Sequence, residues 1–177
     1  LKLERITRRF GTLLANDAID LELKTGEIVA LLGENGAGKT TLMNILFGHY
    51  VADTGRVLLA RDGNWSEMER GSPLAALGAG IGMVHQHFTL AENLTGFENI
   101  ILGQEPWFSF GQGRKAAAQA ISDLMTRTGL TVDIHMPVER LGVGERQRIE
   151  ILKALNRKAR ILVLDEPTAG VDVLLRQ

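Results

Sequence analysis

The sequence contains no cysteine, which excludes disulfides, thiolate metal sites and a cysteine nucleophile. No apolar run approaches the roughly 20 residues of a membrane span. The start, Leu1-Lys2-Leu3-Glu4-Arg5, has no signal-peptide pattern and no initiator methionine, so a trimmed start is expected. Neither sign of charge is in surplus. Twenty Lys and Arg against 21 Asp and Glu leave a net −1, which argues against a dedicated nucleic-acid binder. No Asn-Lys-x-Asp segment for guanine, no internal repeat and no low-complexity stretch occurs. What is present is 177 residues, 45% hydrophobic and 23% charged, enough for one domain with a real core.

Residues Gly33 to Thr41 read G-E-N-G-A-G-K-T-T, between the apolar run Ile28–Leu32 and the segment Leu42–Leu46. A glycine, four residues and then Gly-Lys-Thr, placed between a strand and a helix, is the phosphate-binding loop pattern. Gly33, Gly36 and Gly38 let the backbone turn sharply and approach phosphate oxygens. The amides of Glu34, Asn35 and Ala37 belong to the same anion cradle, which the positive end of the following helix strengthens through Thr41. Lys39 brings a point charge to the β- and γ-phosphates, and the Thr40 hydroxyl suits Mg²⁺. The loop alone says nucleoside triphosphate and no more, because transporters, GTPases, helicases and kinases all use it.

Leu1–Ile6 and Ala18–Leu23 alternate as half-buried strands do. Ile28–Leu32 reads as a buried, parallel strand. A helix is expected over Lys39–Phe47, stopping at Gly48. Asp53-Thr54-Gly55 and Arg61-Asp62-Gly63 read as turns around a strand near Val57–Leu59, and Ile81–Val84 as a further strand. Thr95 with Glu98 has the capping-box spacing of a helix start. A loop over Gly103–Gly113 precedes a helix over Arg114–Thr128, ended by Gly129. Another helix is expected over Arg146–Arg157, and a buried strand over Ile161–Leu164. These elements describe an α/β core flanking a mostly helical insert, residues 88–141.

The strand Ile161–Leu164 runs into Asp165-Glu166-Pro167. Read alone, that is two acids at a solvated turn. Read beside the phosphate loop, Asp165 is placed to hold Mg²⁺ through its water shell and Glu166 to orient and polarise a water against the γ-phosphate. Upstream, Leu141-Gly142-Val143-Gly144-Glu145-Arg146-Gln147 sets two glycines before a helix, which makes a second anion-binding element. A second such element in one chain suggests service to a partner's nucleotide.

With these three segments in this order and spacing, the chain resembles an ATP-binding-cassette (ABC) ATPase over essentially its whole length. The resemblance implies an α/β, P-loop NTPase fold of the ABC type, with a β-rich subdomain and a helical subdomain, truncated at the C-terminus. It implies ATP and Mg²⁺ as cofactors and two cassettes paired head to tail, each ATP lying between one phosphate loop and the other cassette's Gly142–Gly144 segment. It implies that Phe10 stacks on adenine, that Gln86 reaches Mg²⁺ and the attacking water and links the site to the membrane partner, and that Asp172 touches the opposite cassette. His85 and His87 flank Gln86 but give no metal-ligand set. Met83–Phe88 and Gly144–Leu155 resemble the first cassette of bacterial simple-sugar and nucleoside importers. That resemblance implies permease subunits, an extracytoplasmic solute-binding protein, no nucleic acid, and a place on the cytoplasmic face of the membrane. The permease is expected near Gln86–Glu98.

Two departures stand out. The family signature has Ser where this chain has Gly142, and a missing hydroxyl donor to a charged acceptor costs about 1.5–3 kcal/mol, so weaker closure is expected at the composite site that Gly142 joins. The family also has a γ-phosphate histidine past the catalytic glutamate. None of His49, His85, His87 or His135 substitutes for it, and the chain reads as a fragment of a longer polypeptide. The rival readings are a soluble cassette of translation or DNA repair, and a degenerate cassette that binds ATP without efficient hydrolysis. No coiled-coil insertion of the DNA-repair type is present.

Overall fold

A few buried apolar side chains, Leu3, Ile6, Leu58 and Leu59 among them, carry the N-terminal sheet. The computed structural model describes residues 1–61, 63–86, 88–104 and 112–167, and they fall into two compact units, Leu1–Ile81 and Gly82–Gln177.

In the first unit, β1 (Lys2–Phe10) pairs antiparallel with β2 (Leu13–Glu22) and with β3 (Thr54–Arg61), and β4 (Asn64–Glu67) continues the sheet in the order β2-β1-β3-β4. Leu3 and Ile6 of β1 are buried, as are Leu58 and Leu59 of β3. Register shifts along β1 break strict alternation, as β-bulges do. The expected turn at Thr54-Gly55 is instead the start of β3, because Thr54 and Arg56 pair with Thr7 and Glu4 of β1. Helix α1 (Lys39–Phe47) has the expected bounds and buries Leu42, Ile45, Leu46 and Phe47. The Gly48 amide caps its end on the Ile45 carbonyl, 3.1 Å away. Helix α2 (Pro73–Gly78) and strand β4 carry no periodic apolar signal and were legible only in the structure.

One expectation fails here. Ile28–Leu32 forms no strand, and Ile28 and Leu32 are 97% and 92% exposed. Apolar composition states a preference for burial but does not supply a neighbouring strand. Among the described residues the four-stranded sheet does not include this segment.

In the second unit, β5 (Ile81–Val84) and β6 (Ile161–Leu164) form a two-stranded sheet at the expected residues. β5 is buried throughout, whereas in β6 only Val163 is buried and Leu164 is 38% exposed, so the expected burial of β6 is only partial. Helices α3 (Gly96–Ile101), α4 (Gln112–Thr128) and α5 (Val143–Asn156) pack around Phe97, Ile100, Ile121, Val138, Ile149 and Leu152. The helix expected from Arg146 starts at Val143, because Gly142 already caps it. Asn99, fully buried, accepts from the Ala91 amide and donates to the Ala91 and Thr95 carbonyls, which fastens the preceding loop to α3. The aromatic segment with Pro106, Trp107, Phe108 and Phe110 lies outside the described residues, as does Asp172. Among the described residues no helix is long and apolar enough to cross a membrane.

The capping box of α3 is complete. The Glu98 amide donates to the Thr95 hydroxyl at 3.2 Å, and the Thr95 amide donates to Glu98 Oε2 at 3.0 Å. The Glu98 carboxyl is held below its usual value, first by that Thr95 amide and then by the Thr95 hydroxyl and Arg114. A depressed carboxyl contributes stability above its unfolded value and loses it as the pH falls through the lowered one. Thr95→Ala should therefore cost about 1 kcal/mol near neutral pH, and the cost should shrink at about pH 3. Denaturant midpoints at the two pH values check this, and an equal cost at both would reject the ionised box.

Candidate nucleotide and hydrolysis site

The phosphate loop is braced by strand β2. Asn16, 5% exposed, donates through Nδ2 to the Gly38 carbonyl at 3.2 Å. The same carbonyl receives the Leu42 amide at 2.9 Å and so opens α1. Gly38 lies at φ +85°, and a Cβ there would stand 2.0 Å from the Ala15 carbonyl oxygen. Sequence reasoning missed Asn16, although an Asn at an inward-facing strand position is a weak signal of a buried polar contact. Lys39 reaches back across the loop, its Nζ donating to the Gly33 and Glu34 carbonyls at 2.7 Å each. The Ala37 amide closes a turn on the Glu34 carbonyl. Glu34, Asn35, Gly36, Ala37 and Thr40 are exposed, and Thr41 is half-buried. The first turn of α1 carries no acidic side chain that would repel an anion.

Also in the first unit, Phe10 ends β1 and is 40% exposed. Its ring meets Tyr50 edge-on at 5.6 Å, and the Arg8 guanidinium lies 4.8 Å from its centroid. Arg8 is in turn held by Asp53 at 2.8 Å, and the Arg9 amide donates to the same carboxylate. That amide, more than Arg8, keeps the Asp53 carboxyl below its usual value. The aromatic is thus a fixed platform with an accessible ring.

In the second unit the two ends of the small sheet converge. The Asp165 amide donates to the Val84 carbonyl at 3.0 Å, so the acid pair continues the β5–β6 contact. Asp165 is buried, 8% exposed. Gln86 and Glu166, 80 residues apart, are joined by a 2.6 Å hydrogen bond from Gln86 Nε2 to Glu166 Oε2. Glu166 stands at φ +50°, a conformation that costs a non-glycine residue of the order of 1–3 kcal/mol and is concentrated at functional sites.

Gly142 is the N-cap of α5, and its amide donates to Glu145 Oε2 at 2.9 Å. With no side chain at the cap, the reciprocal half of a capping box is absent. Gly144 is exposed. Gln147 Nε2 donates to the Pro167 carbonyl at 2.6 Å, and the buried Glu150 accepts two hydrogen bonds from Thr89. Neither Thr89 nor the part Glu150 plays was foreseen, because both depend on long-range contact. A cavity of about 240 Å³ beside Gln86 is lined by Phe88, Leu90, Glu92, Val138 and Arg146. Arg146 walls it by binding Glu92 and the Leu141 and Glu139 carbonyls.

Comparison with known proteins places the chain among relatives of one kind. The chain is 49% identical to the nucleoside import ATP-binding protein NupA of Lactococcus lactis over 93% of its own length and 32% of the relative's. It is 47% identical to the guanosine import ATP-binding protein NupO of Bacillus subtilis over 96% of its length and 32% of that protein's. It is 43% identical to the ribose import ATP-binding protein RbsA 1 of Rubrobacter xylanophilus over 97% of its length and 34% of that protein's. The chain therefore spans about a third of the length of the curated relatives it matches. Its fold superposes on a crystal structure of the ADP conformation of an ATP-binding cassette of an ABC transporter with a TM-score of 0.80 and 26% identity, covering 99% of this chain and 71% of that one. A nucleotide-free ATP-binding cassette from an ABC transporter matches at a TM-score of 0.80 and 25% identity, over 99% and 72% of the two chains. Residues 16–169 match the ABC transporter family, and with the braced phosphate loop and the Gln86–Glu166 contact inside that span, the chain belongs to this family.

Proposed function

We propose that the chain is the ATP-binding and ATP-hydrolysing cassette of an importer for a nucleoside or a sugar. In this reading it works with a second cassette and with permease subunits at the cytoplasmic face of a membrane, fed by an extracytoplasmic solute-binding protein. The observation that carries the hydrolytic half is the 2.6 Å contact between Gln86 and Glu166 at the strained end of β6. The importer half is supported by relatives that are themselves named as nucleoside, guanosine and ribose import proteins.

Each residue has a role in the reading. Phe10 stacks on adenine. The amides of Gly33–Thr41 and the Lys39 ammonium bind phosphate oxygens, Lys39 exchanging its two carbonyl partners for them. Glu166 accepts the proton of the attacking water and Gln86 holds that water in place. Gly142 and Gly144 offer backbone to the nucleotide of the second cassette, without the hydroxyl a serine at 142 would add. The donors suited to a metal are the Thr40 hydroxyl, the Asp165 carboxylate and the Gln86 amide oxygen. Each offers oxygen, the ligand type Mg²⁺ takes, and the ion when bound would supply charge neutralisation on the phosphates. The cavity beside Gln86 is where the permease docks, so that docking and water placement share one residue.

The test is ATP-driven uptake of labelled nucleosides and sugars by membrane vesicles holding the intact polypeptide and its permease. Lys39→Ala should lower uptake and ATP turnover together by about 10² or more. ATP turnover that needs no permease, with salt-sensitive RNA binding, would overturn the importer in favour of a soluble cassette.

A further inference from the structure

Helix α5 carries two side chains one turn apart that hold opposite arms of the Gln86–Glu166 contact. Gln147 binds the carbonyl of Pro167, one residue past Glu166, at 2.6 Å. Glu150 binds Thr89, three residues past Gln86. Its Oε1 accepts from the Thr89 amide at 2.7 Å and from the Thr89 hydroxyl at 2.9 Å. Lys153 completes the group, its Nζ 3.7 Å from Glu150 Oε2 and 3.5 Å from the Thr89 hydroxyl. Glu150 is 5% exposed. A carboxylate at that depth is destabilising unless its partners are well placed, so the contact is more than an incidental surface pair. Thr89 itself is exposed and has no such reason to be fixed.

We propose that Glu150 is a positioning residue for ATP hydrolysis: through Thr89, and together with Gln147 at Pro167, it makes α5 a clamp that sets the separation of Gln86 and Glu166. The proposal rests on the reading that this pair carries the hydrolytic step. A stiff helix suits the task, because Gln147 and Glu150 share one face at a spacing of three residues. The two arms come from segments 80 residues apart that the β5–β6 pairing joins as far as Val84 and Asp165, and α5 ties them a second time beyond that point. Gly142, the cap of the same helix, lies about 12 Å along its axis from Glu150, so whatever engages that cap moves both arms together.

The test uses steady-state ATP turnover of the intact polypeptide with its permease, beside ATP affinity and thermal unfolding of each variant. Glu150→Leu should lower kcat about 30-fold and Thr89→Val about fivefold, with ATP affinity changed by less than about twofold. Thr89→Val alters an exposed residue without changing its shape, so it keeps the test free of folding failure. Glu150→Gln and Thr89→Ser, which keep the bonding groups, should lose less than Glu150→Leu and Thr89→Val. The double variant Glu150→Leu/Thr89→Val should be no slower than Glu150→Leu alone, since both remove one link. Parent kcat in Glu150→Leu and Thr89→Val, with Glu166→Gln inactive, overturns the clamp and leaves the hydrolytic reading intact. A Glu150→Leu variant that loses kcat, affinity and melting temperature together, beside a silent Thr89→Val, overturns it in favour of a purely structural role. Parent turnover in Glu166→Gln removes the hydrolytic reading, and the clamp with it.

Discussion

Glu166→Gln should lower ATP turnover by about 10²–10⁴ while nucleotide binding stays at the parent level. The substitution keeps the length and shape of the side chain, so the strained backbone at φ +50° is undisturbed. It removes the charge and the basicity that accept a proton from water. It also changes the partner of Gln86, because the 2.6 Å bond now ends at a charged oxygen, and a charged acceptor makes a bond roughly twice as strong as a neutral one. Binding of the phosphates is assigned to Gly33–Thr41 and to Lys39, none of which changes. The measurement is turnover in the intact complex beside ATP affinity by a fluorescent analogue. Parent turnover would remove Glu166 from the role of base. A fall in affinity equal to the fall in turnover would make it a binding residue instead.

Local sequence was legible where local chemistry decides. Gly38 and Gly48 bracket α1, and its bounds were readable to the residue. Thr95 and Glu98 specify the start of α3 within four positions, and both halves of their box form. Short apolar runs before turn residues marked β5 and β6 correctly. The same signal misled at Ile28–Leu32, since a run of apolar residues contains no information about which strand lies alongside. The candidate site divides along the same line. The phosphate loop is contiguous and was visible in full. Glu166 was read from the acid pair beside the phosphate loop and Gln86 only through the family pattern, and nothing in either neighbourhood announces a bond across 80 residues. Asn16 and Glu150 were invisible as supports for a related reason. Each is a polar residue in an otherwise ordinary strand or helix, and its burial depends on a partner 22 or 61 positions away.

Gly38→Ala should be the most damaging change in the phosphate loop, for two separable reasons. The first is conformational: φ +85° is open to glycine and costs an L-residue about 1–2 kcal/mol. The second is contact. The new methyl would stand 2.0 Å from the Ala15 carbonyl oxygen and 2.9 Å from Asn16 Nδ2. A backbone oxygen cannot rotate away, so either the loop or β2 must shift, and with it the bond from Asn16 to the Gly38 carbonyl. Gly36→Ala isolates the first cause, because Gly36 lies at φ +84° with nothing within 4 Å of its virtual Cβ. Gly48→Ala gives strain and a clash against the Ser72 backbone at 2.7–2.8 Å, but at the far end of α1, away from any phosphate. ATP affinity should fall about tenfold in Gly36→Ala and about 10² or more in Gly38→Ala. Gly48→Ala should lower the denaturant midpoint as much as Gly38→Ala does and lose far less affinity. If Gly38→Ala and Gly36→Ala bind ATP equally well, the loop owes its shape to its own glycines and β2 contributes nothing to it. If the predicted order holds, the cradle is a property of the strand beneath it as well as of the motif, and the Ala15–Asn16 backbone belongs to the nucleotide site.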